Sequence, residues 1–233
     1  MAAINPQPAA PTQNVRQAAA NQRPIMSLPD GFVRRPALFF IFQHEMAMEI
    51  IFLLLLILLV IFSLLALFDG FYLHIVKYRL FEHEESKLEH RMHLARAVLF
   101  PFILYFLYLR NDSIAFWIGS LFVVLDIVVL GIDAYLEGDS RAFMGGLPRW
   151  EYILHLFVNG FHFAGVAVYY TAKIHLLPSS IEIIDDFSGV YWHGNFIICV
   201  QQMLPGAIFM ALLHIVTSYE KTTRYWNMLI KRR

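Results

Sequence analysis

The pattern of apolar and polar positions is dominated by one block, IIFLLLLILLVIFSLLALF, in which only Ser63 is polar between Ile50 and Phe68. A segment apolar on every side has no solvent face to offer, and about 20 such residues in a helix cross a bilayer. Four further stretches approach this length, which predicts five spans at about 46–69, 90–109, 113–136, 150–176 and 191–217. The fold class expected is an all-α integral membrane protein, a polytopic bundle of about five transmembrane helices. Residues 1–36, rich in Ala, Pro and Gln with no apolar block and no carboxylate before Asp30, read as a disordered tail. Residues 37–233 then form the helical transmembrane domain.

The second and fourth spans do not fit a purely apolar description. After Arg96 the apolar run reaches only Leu109, so the second span attains full length only if it begins near Glu89. Any twenty-residue window of reasonable hydropathy in the fourth, within WEYILHLFVNGFHFAGVAVYYTAKIHLL, takes in His155 and His162, with Glu151 at its mouth. Ionisable groups facing lipid would cost several kcal/mol each, so these side chains are expected to face other helices.

Composition agrees with a membrane protein, since 58% of the residues are hydrophobic against about 45–50% in ordinary soluble domains. The formal net charge is zero, which offers no basic surplus for nucleic acid. Cys199 is the single cysteine, so an intrachain disulfide is excluded. Lys and Arg concentrate on one side of the predicted spans, in the loops around Lys77–Arg91 and Arg141–Arg149 and in the C-terminal KRR. The positive-inside rule places that side in the cytoplasm and the N-terminus outside, in a plasma (inner) membrane.

The polar residues of the spans recur in an ordered way. Asp69 ends the first helix, and Glu89 and His93 open the second. Asp133 ends the third, and Glu151 and His155 open the fourth. Both helix openings read Glu-x-x-x-His-Leu, which suggests a weak internal duplication of a helix pair with all six residues at the same, cytoplasmic, end. At about 100° per residue, Glu89, His93 and Arg96 share a stripe. So do Asp126, Asp133 and Glu137, and likewise Glu151, His155 and His162.

Carboxylates mixed with imidazoles, and no thiolate, suit a transition metal of iron or manganese type and, less distinctively, zinc. One carboxylate, a Glu/His helix, a second carboxylate and a second Glu/His helix is the donor logic of di-iron bundles, although the spacing here is Glu-x-x-x-His and the lone carboxylates are Asp. The expected ligands are Asp69, Glu89, His93, Asp133, Glu151 and His155, followed by Glu137, His74 and His214. Asp126 and His162 lie roughly 10 Å deeper than Asp133 and His155 at 1.5 Å per residue, and are expected to pair behind the ligands. Glu82, His83, Glu84 and Glu85 read as a solvated linker.

The function expected is a membrane-embedded oxidoreductase with two iron ions, acting on a hydrophobic substrate such as a lipid or quinone that enters from the bilayer. The competing readings are a metal-ion or proton-coupled transporter and a non-catalytic subunit of a larger membrane complex. A transporter would need the polar stripe to continue to the outer face. A subunit would dock through its tail and the LPSSIEIIDDFSGV loop. A b-type haem held by His93 and His155 would leave the surrounding carboxylates without a purpose.

Overall fold

The computed structural model describes the backbone of residues 30–219 together with Arg224 and Met228. Most of the predicted tail therefore lies outside the described residues, and the backbone is helical from Asp30. The chain divides into two compact units, residues 1–44 and 45–233. The second unit carries the bundle.

Helix α1 (Asp30–Ala66) continues as a π-helical segment, Leu67–Lys77. Two single turns of 3₁₀ helix, Leu80–Glu82 and Glu84–Ser86, lead to α2 (Lys87–Phe102), itself extended by a π-helical segment, Ile103–Leu109. Then come α3 (Ser113–Ser140), α4 (Arg149–Lys173), the strands β1 (Ile174–Leu177) and β2 (Ser180–Ile183), and α5 (Tyr191–Thr217). Five helical stretches are long and apolar enough to cross a membrane: Glu45–Lys77, Glu84–Leu109, Ser113–Ser140, Arg149–Lys173 and Tyr191–Thr217.

Three elements depart from the predicted ones. Gly70, expected beside a helix end, instead lies within the π segment, so the first span runs eight residues beyond Asp69. In α2, Pro101 lacks an N–H and its ring crowds the carbonyl four residues back, and the helix widens to i→i+5 bonding from Ile103. The fourth helix stops at Lys173 rather than 176 because the chain enters a two-stranded hairpin, paired from Ile174↔Ile183 to Leu177↔Ser180 across Pro178 and Ser179. The fully buried Lys173 anchors it, its Nζ donating to Ile184 O at 2.7 Å and to Asn111 O at 2.9 Å.

Side chains of one chemical kind lie both inside and outside. Phe52, Leu55, Leu59 and Phe62 form the buried stripe of α1, whereas Ile50, Leu54, Ile57 and Leu64 on the same helix are exposed. In water the second set would be a liability, but in hydrocarbon it is the expected surface. The core is completed by Ile103, Leu104 and Leu107, by Phe116 and Val123 of α3, and by Val158, Val166, Tyr169, Phe196 and Val200. Close approach of α3 to the second π segment requires Gly119, where an added Cβ would stand 2.7 Å from the Leu107 backbone. Asp112 caps α3 by accepting the Ala115 N–H at 2.9 Å. Glu49 of α1 caps α5 from across the bundle, accepting the N–H groups of Tyr191 and Trp192 at 2.8 and 2.9 Å.

Candidate metal centre

One end of the bundle gathers most of the ionisable side chains that the spans contain. The π segment supplies Asp69 and His74, the first turns of α2 supply Glu89 and His93, α3 supplies Asp133 and Glu137, and α4 supplies Glu151 and His155. Glu89, His74 and Glu151 are fully buried, Asp69 and Asp133 nearly so.

The change of helix type places His74. At α-helical pitch Asp69 and His74, five apart, would diverge by about 140°. In i→i+5 bonding five residues close one hydrogen-bonded ring, so both side chains turn to the same side. His74 Nε2 lies 3.5 Å from Asp69 Oδ1 and 4.0 Å from Glu151 Oε1. Its ring stands 4.0 Å from that of His93 and 5.8 Å from that of His155, centroid to centroid.

Two clusters meet at this histidine. In one, His155 contacts Asp69 through Nε2 at 3.0 Å and Glu137 through Nδ1 at 2.5 Å. In the other, His93 Nε2 lies 3.8 Å from Glu89 and 3.6 Å from Asp133. Donor atoms of Asp69, His74 and His155 lie within 4.8 Å of one another, as do those of His74, Glu89 and His93. Ligands about 2.0–2.2 Å from one ion are at most about 4.4 Å apart, so each group is close enough to gather around an ion after small side-chain shifts.

Arg141, in the loop after α3, closes the cluster from the end of the bundle. Its guanidinium binds Glu89 at 2.8–3.1 Å and Glu151 at 3.0 Å, and it lies over the ring of Tyr78 at 5.0 Å. Burial works against its charge, but Glu89, Glu151 and Glu137 hold the guanidinium above its ordinary value, so it stays cationic. Ser140 donates to Glu89, and Ser86 donates to the Ser140 carbonyl at 2.9 Å, which fixes the loop over the cluster.

A deeper polar layer follows. Asp126 accepts from Arg96 Nε at 3.0 Å and lies 3.3 Å from His162 Nε2. Arg96 also donates to Asn159 Oδ1 at 2.8 Å, and Asn159 donates to the His155 carbonyl at 2.8 Å. A cavity of 430 Å³ adjoins both layers, with Asp69, His93, Arg96, Asp126 and His162 in its wall.

Eight of the nine residues expected as ligands thus converge. Five of them form the two triangles, and Asp133, Glu137 and Glu151 join through contacts to His93, His155 and His74; the ring of His214 instead faces His90 at 5.3 Å and lines the cavity. Sequence reasoning missed Arg141 as the partner of two carboxylates, and missed Arg96 as the second partner of Asp126. The available signal for Arg141 was a conflict: Asp133 and Glu137 oppose the macrodipole at the end of their helix, which calls for a cation nearby.

The donor set leaves polar atoms without hydrogen bonds in a buried place. Both ring nitrogens of His74, both carboxylate oxygens of Glu151 and Asp133 Oδ1 have none, although Glu151 keeps its ion pair with Arg141. Unsatisfied buried groups at this density ask for a specific occupant. Charge points the same way. Asp69, Glu89, Asp133, Glu137 and Glu151 carry five negative charges when ionised, and Arg141 offsets one. Four remain to be balanced, by bound cations or by protonated imidazoles. Comparison with protein-family models, with curated proteins and with solved structures finds no match for the chain.

Proposed function

We propose that this chain is a membrane-embedded oxidoreductase with a dinuclear transition-metal centre. Asp69, Glu137 and His155 would hold one ion, and Glu89, His93 and Asp133 the other. His74 stands between them, with Glu151 beside it. The observation that carries this reading is His74, a fully buried imidazole with no hydrogen bond to either nitrogen and a place in both ligand triangles.

Five carboxylates with three imidazoles and no thiolate favour iron, with manganese next and zinc after it. Two such ions supply reversible electron transfer and a place for O₂ to bind, with reducing equivalents coming from an external donor. The Lys and Arg distribution supports a centre at the cytoplasmic face of a plasma (inner) membrane, with the N-terminus outside and the C-terminus inside. Transport fits less well, because beyond the Asp126 layer the His162 ring packs against Phe62 and Phe100, tilted and edge-on at 4.7 and 6.0 Å, and the core above is apolar.

The rival to two ions is protonation of the same imidazoles, which would make the cluster a structural ion-pair network. Elemental analysis and an optical spectrum of protein purified in detergent separate the two. The expected result is two equivalents of one transition metal, reduced in both His74→Ala and His155→Ala. Glu84→Ala, in the exposed linker, should retain the wild-type content. Metal-free wild type that cannot be loaded with iron, manganese or zinc would end the proposal.

A further inference from the structure

We propose that the outward face of α5 is the interface of a parallel homodimer, in which Gln201 of one copy hydrogen-bonds Gln201 of a second near the middle of the membrane. This pairing does not depend on the metal reading above.

Of the five spans, α5 is the least covered by the rest of the chain. Phe196, Val200, Ala211 and His214 form its buried stripe; Gln201 lies outside that stripe and is exposed. It stands three residues from Leu204, the midpoint of Tyr191–Thr217, or about 4.5 Å from the centre of a helix about 40 Å long. An amide at that depth faces hydrocarbon, where no water is present to bond it. Among the described residues its side chain has no hydrogen-bond partner. Pro205, four residues on, has no N–H for the Gln201 carbonyl, so one α-helical bond is missing at the same place.

The neighbours of Gln201 make a seam around it. Gly194, Ile198, Gln201, Pro205, Ile208 and Leu212 are all exposed and follow one another in alternating steps of four and three. The seam is about 27 Å long at 1.5 Å per residue, close to the thickness of the hydrocarbon core. A period of 3.5 residues keeps such a seam against a partner helix that crosses at about 20°. The outward face of α3 has the same spacing, but there Ile114, Trp117, Leu121, Val124 and Val128 fill it with large apolar side chains that lipid satisfies. In α5 the amide is flanked by Gly194 and Pro205, which keep the surface low enough for a second helix to approach. A Cβ on Gly194 would meet nothing within 4 Å, so no contact inside the chain requires a glycine there.

Symmetry selects the occupant. Copies inserted in one orientation meet in parallel about a two-fold axis along the membrane normal, which sets each seam residue against itself at the same depth. An amide both donates and accepts, so Gln201 satisfies Gln201; a carboxylate or a lysine at this position would repel its copy. One polar residue in an otherwise apolar seam also fixes the register of the pair. A lipid chain offers no polar atom at that depth.

The test uses the full chain in phospholipid vesicles, with separate preparations carrying a donor and an acceptor dye at the C-terminus. Energy transfer should rise as the lipid-to-protein ratio falls and saturate at the level of a dimer. Gln201→Leu, an outward side chain that suits lipid, should weaken association about 3- to 20-fold, the range of an interhelical hydrogen bond in a membrane, with the helical circular dichroism of the wild type. Gln201→Asn, which keeps an amide, should recover part of that loss. Contact is read independently by oxidative crosslinking in membranes in a Cys199→Ser background. Ile198→Cys and Leu212→Cys should each give a crosslinked dimer, and Leu121→Cys and Val128→Cys on α3 should not. A chain that is monomeric at every ratio, a Gln201→Leu variant that associates like the wild type, or crosslinks as frequent on α3 as on α5 would each overturn the proposal. So would seam cysteines that crosslink to a different protein and not to each other.

Discussion

Arg141→Met removes a guanidinium that is fully buried between Glu89 and Glu151, at 2.8 and 3.0 Å. Methionine fills much of the volume and supplies no charge, so the main effect is electrostatic. Removing one partner of a buried ion pair costs about 3–5 kcal/mol, because the other charge stays buried without compensation. Here two carboxylates lose their partner at once, which puts the metal-free protein at or above the upper end of that range. Metal binding supplies the missing positive charge, so the loaded variant should recover most of the loss. By linkage the recovered energy appears as affinity: at 1.4 kcal/mol per factor of ten, metal should bind roughly two to three orders of magnitude more tightly to the variant. The assay is denaturant unfolding in mild detergent, followed by the helical circular dichroism signal, with and without added metal, alongside a competitive metal titration. Adding Glu89→Gln to Arg141→Met should restore part of the metal-free stability. If Arg141→Met is as stable as wild type without metal, or binds metal more weakly, then Arg141 is not neutralising this carboxylate pair and the charge count above is wrong.

Two further substitutions probe the framework around the centre. Asp126→Ala leaves Arg96 without its carboxylate and should lower stability by about 3–5 kcal/mol, whereas Asp126→Asn keeps an acceptor for Arg96 and should cost less; equal, wild-type-like unfolding of both in detergent would show that Asp126 does not hold that layer together. Gly119→Ala places a methyl 2.7 Å from the Leu107 backbone, so it should cost about 1–3 kcal/mol or more, since backbone yields less readily than a side chain; a variant that unfolds with the wild type would mean that α3 and the π segment are not in close contact.

The bundle was legible because its cause is local. A helix that enters hydrocarbon must be apolar along its whole length, and that requirement leaves blocks such as Ile50–Phe68 that any reading of the chain meets first. The hairpin after α4 was not legible, because its strands are short and exposed and it is tied down by Lys173, a residue whose burial depends on carbonyls of Asn111 and Ile184. The helical stripes were legible for the same local reason as the spans: at 100° per residue Glu89 and His93 must share a face of α2, as Glu151 and His155 must on α4, wherever the helices go.

The rest of the site depends on features that periodicity does not carry. α-Helical counting turns His74 about 140° from Asp69; only the widening of the helix from Leu67 brings the two within 3.5 Å. That widening has no single-residue signature of the kind Pro101 provides for the second π segment. Arg141 was obscured differently: it lies in a loop 52 residues from Glu89 in sequence, and the lengths of two connections decide whether its guanidinium reaches that carboxylate. Its burial also changes what the cluster asks for. Without Arg141 the five carboxylates would call for more cationic charge than two divalent ions supply, and a purely local reading would have no way to fix the number. With it, four negative charges beside three imidazoles remain to be balanced, which the two divalent ions of the proposed centre would do. A basic residue counted only as evidence for orientation thereby becomes part of the metal stoichiometry that the proposal predicts.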